Sequence, residues 1–191
     1  MAASDMKATD KRYIANKRVR DSITAALFDL MEDEPFYKIT ITQIASRAHV
    51  ARQSFYRNFE SKEAIVEEFF QSMYEDNLAH ARGDNLMSFN EDMILLILRS
   101  LKEHKREILL LNENGFANRN LDMVTMFVIQ VAGEVPTSST DSYLIYYFAG
   151  ALYNTLLEWL RRGARESCEQ MAAAISRFQA SSILSVDLEI E

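Results

Sequence analysis

ITITQIASRAHVARQSFYRNFESKEAI, residues 39–65, decides the fold. Ile41, Ile44, Ala45 and Ala48 recur at i, i+3, i+4 and i+7, the spacing of one apolar helix face. Thr40 stands ahead of them as an N-cap, and Gln43 three residues on completes a capping box. A second short helix follows, anchored by Val50, Phe55 and Phe59. Between those anchors stand Arg52, Gln53, Ser54, Tyr56, Arg57 and Asn58. Such side chains hydrogen-bond phosphates and base edges, as Arg does with guanine and Gln or Asn with adenine. From Pro35 to Lys62 the only acid is Glu60, set against Lys38, Arg47, Arg52, Arg57 and Lys62. Two short helices joined by a tight turn, the second basic on one side and aromatic on the other, are the build of a helix-turn-helix. Spacing alone does not choose between this and ordinary all-α packing with a solvated polar face. The anchors Phe55, Tyr56 and Phe59 favour the first, because they fix a short helix while leaving its other face uncommitted.

The region resembles the DNA-binding domain of the TetR/AcrR family of bacterial transcriptional regulators. The residues that carry the resemblance are Thr40, Ile44-Ala45, Val50, Phe55-Tyr56, Phe59 and Ser61-Lys62-Glu63, together with the amphipathic helix before them. Two positions depart from the family pattern. His49 stands where a turn glycine is usual, and His is among the residues that tolerate positive φ. Ala51 stands where a capping Ser is usual, a loss that typically costs about 1 kcal/mol. The resemblance implies that Arg52, Gln53 and Ser54 reach base edges and that Tyr56, Arg57 and Asn58 contact phosphates. It further implies that Thr40 and Thr42 hold a phosphate at the start of the first motif helix, and that Lys62 clamps one from the helix that follows.

Outward from the motif, the composition is that of an all-α protein. In 191 residues there are 5 Gly and 2 Pro, so helix breakers are scarce. The single cysteine, Cys168, excludes an intramolecular disulfide and fits a reducing cytoplasm. The N-terminus has no apolar run of the signal-peptide kind. The longest uncharged stretch, Ser142 to Leu157, is too short to span a bilayer, so no membrane partner is expected. Net charge is -7, and all of that excess acid lies beyond residue 70, leaving the motif strip free to approach a polyanion.

The expected architecture is a disordered arm (1–10), a three-helix DNA-binding head (11–72) and a helical body for ligand binding and dimerisation (73–191). The first helix runs from Lys11 to Met31, with Ile23, Ala26, Leu27, Leu30 and Met31 inward. Its leading cations, Lys11, Arg12, Lys17, Arg18 and Arg20, read either as a solvated face or as added phosphate contacts. Further helices are expected over Lys62 to His80, Ser88 to Leu111, Ala117 to Val131, Asp141 to Arg162 and Glu166 to Ser182. Gly133 to Ser139 reads as a loop, and Gly150-Ala151 would permit close helix approach.

By the resemblance, the last two helices of each subunit pair into a homodimer interface, here Tyr153, Leu156, Trp159, Leu160, Met171, Ile175 and Phe178. An ordinary intramolecular core explains the same residues equally well. The need to read two half-sites of an inverted-repeat operator in double-stranded DNA favours the dimer. The resemblance also implies an effector, a small molecule or a partner protein, acting on the body. Met87, Met93, Ile97, Met123, Met126, Phe127, Tyr143 and Tyr147 could line its pocket, though such a stripe also serves as plain core.

No catalytic constellation stands out. His49, His80 and His104 are scattered, Cys168 is isolated, and there is no Gly-rich phosphate loop or nucleophile elbow. Neither enzyme activity nor a cofactor is expected. The resulting expectation is a cytoplasmic, homodimeric DNA-binding regulator, a repressor released by its effector. The alternative is a protein–protein adaptor or coactivator that keeps the fold and acts through its body.

Overall fold

Thr40 and Gln43 behave as the capping box demands. In the computed structural model the Gln43 amide N–H donates to Thr40 Oγ1 at 3.3 Å, and the Thr40 N–H donates to Gln43 Oε1 at 2.8 Å. The structure describes the backbone of residues 3–83, 90–132, 140 and 142–183; side chains are described for 14–80, 90–131, 140 and 142–178. Among these residues every regular element is helical. The break at Asp84-Asn85, Met87, the helix start at Ser88 and the Gly133 to Ser139 loop lie outside them. The chain divides into two units, Met1–Gln71 and Ser72–Glu191.

In the first unit α1 spans Ala3–Asp33. It begins before the expected Lys11 and continues through the segment expected as an arm, where Ala3, Met6, Lys7 and Ala8 are strong helix formers. Pro35 precedes a 3-10 turn, Phe36–Lys38. Then come α2 (Ile41–Arg47), α3 (Arg52–Asn58) and α4 (Lys62–Gly83). Ile23, Leu27 and Phe28 of α1, Ile44 of α2, Phe55 of α3 and Ile65, Val66 and Phe70 of α4 are fully buried. Phe28 meets Phe69 edge to face, with ring centroids 5.1 Å apart.

The second unit holds the rest of α4 and α5 to α9. Asn90 caps α5 (Glu91–Glu103) by accepting from the Met93 N–H at 2.9 Å. The expected single helix to Leu111 breaks at His104 (φ -99°, ψ 20°), and α6 is a separate helix of about two turns, Lys105–Leu111. The expected break at Asn112 to Gly115 is present: Asn114 (φ -97°, ψ 18°) and Gly115 (φ 95°, ψ 6°) leave the helical region between α6 and the next helix. α7 (Ala117–Ala132) packs on α8 (Ser142–Arg161), and α5 packs on α9 (Cys168–Ile183). α9 starts two residues later than the expected Glu166, because Ser167 and Gln170 form a second capping box. The Glu169 carboxyl in its first turn sits below the usual carboxylate range, held there by the helix N–H and by Arg99 of α5 at 3.1 Å.

Candidate nucleic-acid interface

The turn between α2 and α3 is closed by the backbone. The His49 N–H donates to Ser46 O at 3.1 Å and the Val50 N–H to Ala45 O at 2.9 Å, the paired bonds of a Schellman ending. That ending needs a left-handed residue, and His49 supplies φ 55°. Ala51 then enters α3 with the extended backbone of an N-cap (φ -67°, ψ 144°) and has no side chain to cap with. Ala51→Ser is therefore expected to stabilise the unit by about 1 kcal/mol, read as a rise in its thermal midpoint. No rise would mean that the α3 N–H groups are already satisfied.

α3 has two distinct sides. Phe55 is fully buried and lies 6.2 Å, ring to ring, from Phe59. Arg52, Gln53, Tyr56 and Arg57 are exposed, and Ser54 is half-buried. An Arg52 guanidinium N–H donates to the Tyr56 hydroxyl at 3.2 Å, and its Cζ lies 5.6 Å from the Tyr56 ring, so the two long side chains brace each other. No bond to Gln53 or Arg57 occurs among the described residues. Of the flanking threonines, Thr42 is exposed with its hydroxyl uncommitted among the described residues, whereas Thr40 is committed to its cap. The arrangement is a polar, cationic, hydrogen-bonding strip on a helix fixed from behind by aromatic rings.

Two residues expected to contact phosphate have their polar groups engaged within the chain. Asn58 turns back on its own helix: its Nδ2 donates to Ser54 O at 2.8 Å and its Oδ1 is buried. Lys62 turns inward, its ammonium donating to Phe36 O at 2.7 Å and Ile39 O at 2.8 Å while lying 4.5 Å from the Phe36 ring. Their place in the motif suggested an outward role, but backbone carbonyls within reach accept from both side chains. The cation cluster at the start of α1 is also partly spoken for. Lys17 pairs with Asp21, and Arg20 reaches Glu68 and the Asn58 carbonyl. One exposed aromatic had no role in the sequence reading: Tyr37, on the 3-10 turn, with Lys38 Nζ 5.8 Å from its ring. An aromatic-basic pair just ahead of a capping threonine was its only signal.

In the second unit the expected pocket and interface residues separate by burial. Met93 and Phe127 join one apolar cluster, against which Ile97 packs, and Met123 lines a small cavity. Met126, Tyr143 and Tyr147 are exposed and are not among the residues that line this cavity. Of the expected interface, Leu156, Trp159, Leu160 and Ile175 are buried within their own unit and cannot meet a partner in this conformation. Tyr153 is also used inside the unit, its hydroxyl bonded to Asn112 Nδ2 at 2.7 Å and to Ala117 O at 3.2 Å. Met171 is half-buried, and Phe178 is 75% exposed. Among the described residues, nothing beyond its own helix backbone lies within 4 Å of where a methyl group on Gly150 would stand.

The model for bacterial regulatory proteins of the tetR family matches residues 23–69, and a model for a transcriptional regulator C-terminal region matches residues 90–180. The HTH-type dhaKLM operon transcriptional activator DhaS of Lactococcus lactis subsp. lactis is 28% identical over 96 residues. That alignment takes in 50% of this chain and 48% of that protein, so the chain spans about half the length of the curated relative it matches. Among solved structures, a TetR transcriptional regulator from Streptococcus agalactiae 2603V superposes with a TM-score of 0.65 at 20% identity, covering 91% of this chain and 98% of that one. The dihydroxyacetone kinase operon activator DhaS superposes with a TM-score of 0.62 at 21% identity, over 87% of this chain and 97% of that one. At those identities the likeness is one of fold.

Proposed function

The chain belongs to the TetR family of bacterial regulatory proteins, and from that premise we propose that this regulator reads an inverted-repeat operator as a homodimer under the control of an effector bound in its second unit. The observation that carries the proposal is the face of α3. Arg52, Gln53, Tyr56 and Arg57 stand exposed together, opposite the fully buried Phe55.

The homodimer draws support from the first half of α8. Tyr143 (72% exposed), Leu144, Tyr146 and Tyr147 (75%) are large apolar groups in water, and the open ground at Gly150 continues them. Phe178 of α9 is a further such group. Exposed apolar surface of this kind commonly marks an association site.

The effector draws support from a cavity of about 30 Å³ lined by Met73, Leu101, Met123, Tyr153, Leu156 and Asn120 among others. Asn120 is 3% exposed, and its Nδ2 has no hydrogen-bond partner among the described residues. The Asn120 amide would donate to an acceptor on the effector, for which the cavity would have to widen. Effector binding that favours one arrangement of the body must shift operator affinity by the same factor that operator binding shifts effector affinity.

We take the regulator to be a repressor, released by its effector. The matched relative carries the name of an activator, which supports the opposite sign as a second reading. Capture of fragments from the source genome by the purified protein, followed by sequencing, tests the DNA reading, and transcription from the captured promoter with and without protein gives the sign. An inverted repeat should be enriched. Arg52→Ala and Gln53→Ala should each relax preference at one base pair per half-site, by about 1–3 kcal/mol. If fragments are recovered without preference, or both variants select the same repeat as the wild type, α3 is not the reading helix and the adaptor reading takes its place.

A further inference from the structure

We infer that Arg20 and Glu68 form a clamp that positions the recognition helix, so that base reading depends on two residues that do not touch DNA; this rests on the proposed DNA-reading role of α3. The helix is only seven residues long and has no side-chain cap at its start. Its far end is where it is held. Arg20 of α1 donates from Nη1 to the carbonyl of Asn58, the last residue of α3, and its Cζ lies 4.2 Å from the centroid of the Phe59 ring. The rest of the guanidinium fork meets Glu68 of α4, Nε to Oε1 at 3.0 Å and Nη2 to Oε2. One planar cation thus ties three helices together. A cation on the last carbonyl also suits the negative end of the helix dipole. Only a guanidinium can meet a carboxylate with two parallel bonds and still donate to a third acceptor.

A phosphate contact, the sequence expectation for this cation, makes the opposite forecast for its partner. If Arg20 acted on DNA directly, removing the Glu68 charge would free it and lessen repulsion, so DNA binding would tighten. If the pair is a clamp, removing Glu68 lets Arg20 drift, α3 loses its angle, and operator binding weakens.

The test uses the full chain and compares wild type, Arg20→Gln, Arg20→Lys, Glu68→Gln and the double variant Arg20→Gln/Glu68→Gln. Each is titrated with the enriched operator duplex and with an unrelated duplex of equal length across a salt series. Temperatures are kept below each variant's unfolding transition, which circular dichroism records. Operator affinity should fall roughly tenfold in each single variant, as for the loss of one good base contact. The double variant should be no worse than either single one, because both break the same device. Arg20→Lys should keep the wild-type salt slope yet lose operator affinity, since an ammonium keeps the charge but not the fork. Tighter operator binding by Glu68→Gln, or a salt slope flattened by about one in Arg20→Gln with an unchanged operator preference, would overturn the clamp and make Arg20 a phosphate contact. If the wild type itself distinguishes no duplex, the DNA-reading role fails and the clamp with it. If wild type and variants discriminate alike, only the clamp fails.

Discussion

Trp159→Ala is expected to lower the stability of the folded chain by about 3–5 kcal/mol, whereas Tyr147→Ala should change it by less than about 0.5 kcal/mol. Both are large aromatic residues of α8, three turns apart, and their environments decide the difference. Trp159 is 3% exposed, and its indole N–H donates to Glu166 O at 3.3 Å. Truncation leaves a cavity and strips that carbonyl of its partner. The backbone bond that closes the helix end, Ala164 N–H to Trp159 O at 2.9 Å with Gly163 (φ 95°) and Ala164 (φ 52°) both left-handed, survives the truncation. Trp159→Phe keeps most of the bulk and loses the bond, so it should recover the greater part of the stability. Tyr147 has nothing comparable to lose within the chain. Its effect should appear instead as weaker self-association, seen by sedimentation across a concentration series. A Trp159→Ala chain that unfolds like the wild type but no longer dimerises would return the interface to the C-terminal half of α8.

That contrast locates the limit of sequence reading. The left-handed His49 and the uncapped Ala51 were legible only through the family resemblance, whereas the Thr40–Gln43 box was readable because it follows from residues within a few positions of one another. The all-α composition and the two-sided character of α3 were readable for the same reason. In α8 the apolar residues surround the helix, so periodicity could not say which of them its own chain covers. The sequence reading gave the pocket Tyr143 and Tyr147 and gave the partner Leu156, Trp159 and Leu160, but burial points the other way. Contacts such as Arg20 with Glu68 cross 48 residues, and no local pattern reports where two distant side chains meet. Motif position alone did not report the carbonyls that accept from Lys62, because a motif records which residue type stands at a site and not which acceptors surround it.

Lys62→Met should therefore reduce the stability of the helix-turn-helix unit by about 3 kcal/mol, in line with losing two hydrogen bonds from one charged donor. Its Nζ serves Phe36 O at 2.7 Å and Ile39 O at 2.8 Å, 26 and 23 residues away in sequence. Phe36 O accepts in addition from the Ile39 N–H at 3.1 Å, so the cation completes the end of the 3-10 turn. Methionine matches the stem and keeps the packing on Phe36, which isolates the ammonium as the variable. Ile39 leads directly into Thr40, so a loosened turn frees the cap of α2, and Gln43 with it, whose Nε2 donates to Glu34 Oε1 at 2.6 Å. Any weakening of DNA binding should then track the fraction unfolded and vanish at temperatures where the variant is fully folded. A phosphate clamp behaves differently: the folded variant would bind all duplexes more weakly, with a salt slope flatter by about one. Chemical denaturation and a salt series on the same preparation separate the two, because the carbonyls act on the folding equilibrium and a phosphate acts only on the complex.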